Sequence, residues 1–189
     1  MAVVAELGHL QGQVVLGRQA ISRRKWPNVG GDSQLLSIVG QPSSTAYAPA
    51  ATDWYANLLW IERRKCLVVT HAGTLFSVFV PDVQAANLRP IGRLVVPLLQ
   101  AELVGDGLLP DALGALRAKE VVLARTADRS VLGSMNDMAL MIESSVWADG
   151  GLRTCNVTEL NRHLRRHISG ARGYKPPIEL ARGWNQRAD

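Results

Sequence analysis

Hydrophobic residues in the middle of the chain follow a strand-like pattern that few polar residues interrupt. From Trp54 to Ile61 both alternations are apolar apart from Asn57, which is typical of a strand covered on both faces. A charged run, Glu62 to Lys65, separates this segment from a second apolar run, Cys66 to Thr70, so the pattern predicts a β-hairpin. The next apolar stretch, Thr74 to Val80, fits a strand or the start of a helix, and we expect a strand.

Helical spacing follows the predicted strands. Asp82 is a candidate cap for a short helix over Val83–Leu88, and a longer helix should begin after Pro90. Pro97 lies inside this second pattern, so we expect a kink or break there. Pro110–Ala118 should form another short helix.

A buried strand is expected over Glu120–Thr126, followed by a helix with Ser130 as its cap and an apolar face reaching Ile142. The alternative for this region is a strand over Ala139–Trp147.

Asn156 and Glu159 have the spacing of a capping box, which predicts a last helix over Val157–Ile168. The segment from Gly170 onward is rich in Gly, Pro and Arg, and we expect it to be irregular.

These elements together predict an α+β fold, with an antiparallel or mixed sheet and packed helices in one compact domain. We divide the chain into a poorly specified extension and linker (1–52), the core domain (53–168) and a basic tail (169–189).

The composition, 47% hydrophobic and 20% charged, is that of a globular protein. No apolar run is long enough to span a membrane, so we expect no membrane partner. Two cysteines are too few for a disulfide framework, which favours free thiols and a cytoplasmic protein.

The net charge of +5 is concentrated towards the C-terminus, where residues 153–189 contain eight basic and three acidic residues. Such a patch predicts contact with nucleic acid or another polyanion, or else it is an ordinary solvated surface. The candidate nucleic-acid-binding residues are Arg162, Arg165, Arg166 and Arg172.

A polar block from Arg125 to Met138 is the strongest candidate for a site. A helix that begins here after a strand and a turn has free backbone amides at its start. These amides would face the same place as the Arg129 guanidinium, and together they would suit an anionic ligand. The alternative is that Asp128 and Ser130 only cap the helix. The amides of Asn57 and Asn136 would either form a structural polar lock or line a pocket. The candidate ligand-binding residues are Asn57, Arg125, Arg129 and Asn136.

Weak candidates for catalytic residues are Asp128, Asp137 and His71. His71 follows the second predicted strand, but its sequence neighbours have no metal-ligand spacing. A nucleophile pair of Cys66 and His71 is weakly supported, because residues five apart near a strand end need not face each other. His163 and His167 are four residues apart, yet the surrounding arginines would oppose a divalent ion. We therefore predict no metal and no cofactor.

Four segments of the chain resemble a known family. They are Asp53–Leu58, Arg64–Leu67, Thr74–Pro81 and Asp128–Met138. In this order they are similar to the uncharacterised bacterial family called domain of unknown function 6933, over about residues 53–168. The first fifty residues depart from the family pattern. The resemblance implies that both polar blocks belong to one bacterial fold, and it implies no activity.

The sequence thus favours a non-enzymatic binding or regulatory module, whose partner is an anionic ligand, a protein or a nucleic acid. One alternative is an enzyme acting on a phosphate-containing or other anionic small molecule, with Arg125 and Arg129 binding the anion. The other is a nucleic-acid-binding protein that uses the basic last helix.

Overall fold

The computed structural model describes residues 2–3, 13–16, 38, 49–119, 121–123, 128–168 and 170–184. Two short strands, β1 (Ala2–Val3) and β6 (Val122–Leu123), pair with each other. The main sheet has the order β2-β3-β4-β5, with strands β2 (Gln13–Leu16), β3 (Asp53–Ile61), β4 (Arg64–His71) and β5 (Ser77–Val80). The β2–β3 pair is parallel, whereas β3–β4 and β4–β5 are antiparallel. The predicted α+β class is confirmed.

Helices cover both faces of this sheet. They are α1 (Ile91–Gly105), α2 (Arg129–Ala148), α3 (Val157–Arg166) and α4 (Pro177–Arg182). Alternate residues of β3 contact opposite layers, because successive side chains of a strand point to opposite faces. Trp54 and Leu58 pack with α1 and α4, while Tyr55 and Leu59 pack with α2 and α3. The expectation that this strand is covered on two sides is therefore confirmed.

The hairpin between β3 and β4 closes through a two-residue turn at Glu62 and Arg63, whose φ angles are 50° and 62°. Positive φ at both central positions is the geometry of a type I′ turn, which usually contains Asn or Gly. The Glu62 carboxylate accepts a hydrogen bond from the Leu152 amide at 3.3 Å. This bond ties the hairpin tip to the chain just beyond α2.

Two helix predictions around α1 need correction. The helix runs unbroken through Pro97 from Ile91 to Gly105. The segment Pro110–Ala118 is not a helix but a series of turns, with a φ of +106° at Gly114. Its backbone hydrogen bonds are isolated four-residue turns that do not continue into a helix, and Leu113 and Leu116 enter the core.

The short helix expected before α1 is a 3₁₀ turn over Ala85–Leu88, without a side-chain cap. Asp82, its predicted cap, instead lies 2.5 Å from the guanidinium of Arg64. Because the Asp82 carboxylate is paired with Arg64, it does not cap the 3₁₀ turn.

The start of α2 is capped by Asp128, one residue before the helix, rather than by Ser130. The helix continues to Ala148, so the alternative of a strand over Ala139–Trp147 is wrong. α3 begins after Asn156 as predicted, with the side chain accepting from the Glu159 amide at 3.2 Å, and it ends at Arg166.

The segment after Gly170 is not irregular throughout. α4 begins with Pro177 at its first turn, where the missing N–H costs nothing. Ile178 and Ala181 lie in the core layer that contains Trp54. Packing of these two apolar side chains stabilises a helix that is too short to stand alone. The domain division stays a prediction.

Candidate functional site

His71 ends β4 inside the protein rather than at an open turn. Its ring lies 5.0 Å from the ring of Trp54 and 4.8 Å from that of Trp184. The Nδ1 atom is 3.0 Å from the Thr74 hydroxyl, and Nε2 has no partner among the residues that the structure describes. Burial, and then the charge of Arg172, lowers the pKa of His71 to about 3. A ring that is shielded from solvent and has so low a pKa accepts a proton poorly, which does not suit a general base.

Cys66 lies on the other face of the sheet from His71. Its side chain packs in the layer with α2 and α3, whereas the His71 ring contacts Trp54 in the opposite layer. Burial raises the pKa of the Cys66 thiol. A Cys66–His71 nucleophile pair is therefore excluded by geometry.

The half-buried Arg172 acts as a clamp between three segments of the chain. Its guanidinium donates to the carbonyl oxygens of Ala72 at 2.6 Å and Gly73 at 3.2 Å, and lies 3.4 Å from the Ser130 hydroxyl. Gly73 has no room for a side chain, because a Cβ there would lie 2.0 Å from the ring of Trp184. The clamp holds the turn after β4 against the C-terminal segment and the start of α2.

Arg165 is buried, with 2% of its surface exposed. It forms ion pairs with Glu102, at 2.6 Å, and with Asp106 of the chain that follows α1. Of the other predicted nucleic-acid-binding residues, Arg162 and Arg166 are at the surface. Arg162 lies 3.3 Å from Glu159 and Arg166 lies 3.5 Å from Asp106. Carboxylates thus offset much of the positive charge of this helix.

Asn161, which the sequence analysis did not single out, seals the edge of the sheet. Its side-chain oxygen accepts from the Phe79 amide at 2.7 Å, and its nitrogen donates to the Phe79 carbonyl at 3.2 Å. The amide therefore substitutes for a neighbouring strand along β5. One sequence feature could have indicated this role: Asn161 is a polar residue next to Leu160 and within one turn of Leu164, and both leucines are buried.

The predicted polar lock around Asn57 is not formed among the described residues. Asn57 is 3% exposed, and neither its side-chain nitrogen nor its oxygen has a hydrogen-bond partner there. On the same face of β3, burial and the negative charges of Asp53 and Asp128 raise the pKa of Tyr55 to about 12. Tyr55 packs with the apolar side chains of α2, but its hydroxyl, like the Asn57 amide, has no hydrogen-bond partner among the described residues.

The amino-terminal end of α2 is already occupied. The Asp128 carboxylate accepts from the amides of Ser130 at 2.8 Å and Val131 at 3.2 Å. An anion approaching these amides would meet this negative charge. Arg129 is exposed to solvent, and Arg125 lies outside the described residues. The geometry favours a cap over an anion site.

Asp137 lines a cavity of about 180 Å³ between α2, α3 and the segment that follows α3. We call this the α2–α3 cavity. Its lining consists mainly of apolar side chains, with one carboxylate, one hydroxyl and one imidazole: Leu75, Ser134, Asp137, Met138, Met141, Leu164, His167, Ile168, Gly170 and Pro177. Asn136, one residue before Asp137, is half-buried and outside this lining.

Met138 anchors the floor of the cavity to the sheet. Its sulfur lies 3.0 Å from the Ser77 hydroxyl, which in turn is 2.9 Å from the Thr70 hydroxyl. Ser134, Asp137 and His167, the polar residues of the cavity, do not form such a series of contacts. Ser134 donates to the Ser130 carbonyl at 3.1 Å, and in the described part of the chain no hydrogen bond joins it to Asp137 or His167. The three do not form a nucleophile, base and orienting group.

The described residues contain neither a cluster of metal ligands nor a membrane-spanning helix. Within residues 49–119, 128–168 and the other described ranges, no group of three His, Cys, Asp or Glu side chains could hold a metal ion. No helix in the same ranges has the length and apolar character needed to cross a membrane.

Comparison with known proteins gives a family but no activity. No curated protein and no solved structure matches the chain. The model of the family described as domain of unknown function (DUF6933) matches residues 33–180, which includes the hairpin, α2 and the α2–α3 cavity. The chain therefore belongs to the DUF6933 family.

Proposed function

We propose that this protein is a non-enzymatic binding module whose ligand occupies the α2–α3 cavity. The observation that carries the proposal is the lining of that cavity, where one exposed carboxylate, Asp137, borders a wall of methionine and leucine side chains. Ligand sites combine apolar walls with a few polar groups in this way. Methionine side chains also adapt to ligands of different shape.

The charge of the site favours a ligand that is an apolar cation, such as an alkylammonium group or a basic side chain. Asp137 has no ion-pair partner among the described residues, so its carboxylate can pair with an incoming cation. Met138, Met141 and Leu164 offer contact to the apolar part of the ligand. This charge preference is opposite to that of the anionic ligand expected from Arg125 and Arg129.

Binding is favoured over catalysis because the polar groups of the cavity are not arranged for proton transfer. The Ser134 hydroxyl is engaged with its own helix, and His71 is buried in the opposite layer. We further propose a cytoplasmic location, since Cys66 and Cys155 are both free thiols.

The proposal can be tested by NMR of protein labelled at the methionine methyl groups. Met138 and Met141 report on the cavity, and Met135, which is 1% exposed in the core, is an internal control. Hexylammonium, hexanol and hexanoate share one alkyl chain and differ only in charge. We expect shifts of the two cavity methyls, with the tightest binding for hexylammonium and the weakest for hexanoate.

The charge preference should depend on Asp137. In Asp137→Asn the advantage of hexylammonium over hexanol should fall roughly two- to fivefold, the range expected for one exposed ion pair. Asp111→Asn, at another exposed aspartate, should leave it unchanged. Unmoved cavity methyls, or an unchanged order of affinity in Asp137→Asn, would refute the proposal.

A further inference from the structure

The solvent-facing side of α2 carries two large, exposed apolar side chains. Leu140 is 53% exposed and Trp147 is 84% exposed. They are seven residues apart, so they lie on the same side of the helix. The opposite side of α2 is the buried one, formed by Val131, Met135, Met138, Ile142 and Val146. Exposed tryptophan is enriched where proteins bind each other.

Gly133 lies on the same outer side, seven residues before Leu140. A glycine inside an exposed helix costs about 1 kcal/mol relative to alanine. Its φ is not positive, and a Cβ at this position would meet no atom within 4 Å. Within the described residues the chain therefore gives no reason for the absence of a side chain.

The three positions match each other under a two-fold rotation. At about 100° and 1.5 Å per residue, residues 133, 140 and 147 lie within about 20° of one line and about 10 Å apart. If two copies of α2 pack antiparallel with Leu140 on the axis, Trp147 of each copy lies over Gly133 of the other. A large side chain then meets a position with no side chain, as close packing requires.

We propose that this face of α2 binds a second copy of the chain, forming a symmetric antiparallel homodimer. The flanking residues agree with the arrangement. On one flank Asn136 faces Glu143 of the second copy, so an amide can donate to a carboxylate. Arg129 lies one turn from Gly133 and therefore beside Trp147 of the second copy, where a cation–π contact can form. On the other flank Asp137 faces Ser144, so this carboxylate meets a hydroxyl rather than a charge.

The size of the face sets the strength of the dimer. α2 has 20 residues and is about 30 Å long, so a single helix pair lies at the low end of specific interfaces, below about 1,200 Å². We expect a reversible dimer whose population depends on protein concentration. The inference does not rest on the proposed ligand, since Gly133, Leu140 and Trp147 do not line the α2–α3 cavity; Asp137, which does line it, lies only at a flank of the dimer face.

Cysteine cross-linking tests the symmetry directly, in a Cys155→Ser background that removes the half-buried native thiol. Leu140→Cys lies on the proposed axis and should form a covalent dimer with itself under mild oxidation. Val104→Cys, on α1 and 57% exposed, is the matched control and should not. Gly133→Cys and Trp147→Cys should each remain monomeric alone and cross-link when mixed. Equal cross-linking at 104 and 140, or efficient cross-linking of each of the last two variants alone, would overturn the proposal.

Sedimentation velocity over a wide concentration range provides the second readout. Wild type should shift from monomer to dimer, and Trp147→Ala should weaken the dimer at least tenfold, as expected for a large aromatic residue buried in an interface. Gly133→Leu should weaken it similarly while the thermal midpoint is kept or raised, since the monomer has room for the side chain. Tyr174→Ala, which removes another exposed aromatic residue, should change nothing. A wild-type protein that stays monomeric throughout would overturn the proposal.

Discussion

Acid should destabilise this protein through His71 more than through any exposed histidine. The ring is fully buried between Trp54 and Trp184, and burial together with Arg172 lowers its pKa from 6.5 to about 3. The unfolded chain therefore binds a proton near pH 6.5 that the folded chain does not bind until about pH 3. The stability supplied by neutral His71 is complete above pH 6.5 and is lost as the pH falls towards 3.

The size of the effect follows from the shift. Each pH unit within this window should remove about 1.4 kcal/mol from the free energy of unfolding, and the loss should reach about 4 kcal/mol at about pH 3.5. That is a large part of the roughly 5–15 kcal/mol that stabilises a typical domain. Because carboxylates also titrate there, the measured quantity is the difference between wild type and a variant that lacks the titrating ring.

His71→Asn is the variant of choice, since its amide can still bond to Thr74. Urea unfolding followed by tryptophan fluorescence gives both free energies at each pH. At neutral pH wild type should be the more stable, and the difference should shrink or reverse as the pH falls to 3.5. His163→Asn, on the exposed side of α3, should follow wild type at every pH. A constant difference between wild type and His71→Asn would refute the reasoning.

Three further substitutions test the internal contacts by urea unfolding, and the first two each have a matched control. Gly73→Ala should cost about 1–3 kcal/mol through overpacking against Trp184, whereas Gly133→Ala should gain up to about 1 kcal/mol; equal effects would contradict the packing account. Arg165→Met should cost about 3–5 kcal/mol by removing the buried cation that pairs with Glu102 and Asp106, and the exposed Arg162→Met less than about 1 kcal/mol; similar losses would contradict the buried ion pairs. Asn161→Leu should cost about 1–3 kcal/mol and speed hydrogen exchange at the amide of residue 79, and unchanged exchange there would refute the edge seal.

The elements that the sequence predicts well are those whose pattern is long and local. The hairpin was predictable because both alternations of β3 are apolar and a charged turn follows. The start of α3 was predictable because Asn156 and Glu159 have capping spacing. α4 was missed because it is six residues long and is stabilised by the core contacts of Ile178 and Ala181, which no local pattern records.

The candidate site was harder to predict because sequence gives charge without giving partners. In the sequence, Arg165 and Arg172 look like surface arginines. Arg165 is buried and paired with Glu102 and Asp106, whereas Arg172 donates hydrogen bonds to backbone carbonyls. Asp137 was a candidate for its unusual place inside a helix. Its cavity depends on residues from Leu75 to Pro177, and such a long-range arrangement is visible only in the fold.

The nuclear Overhauser effect between bound hexylammonium and the protein methyl groups tests directly whether the ligand occupies the α2–α3 cavity. We expect cross-peaks from the alkyl protons to the methyls of Met141 and Leu164, with the ammonium end nearest Asp137. Cross-peaks only to methyls outside the α2–α3 cavity, or none at saturating hexylammonium, would contradict it.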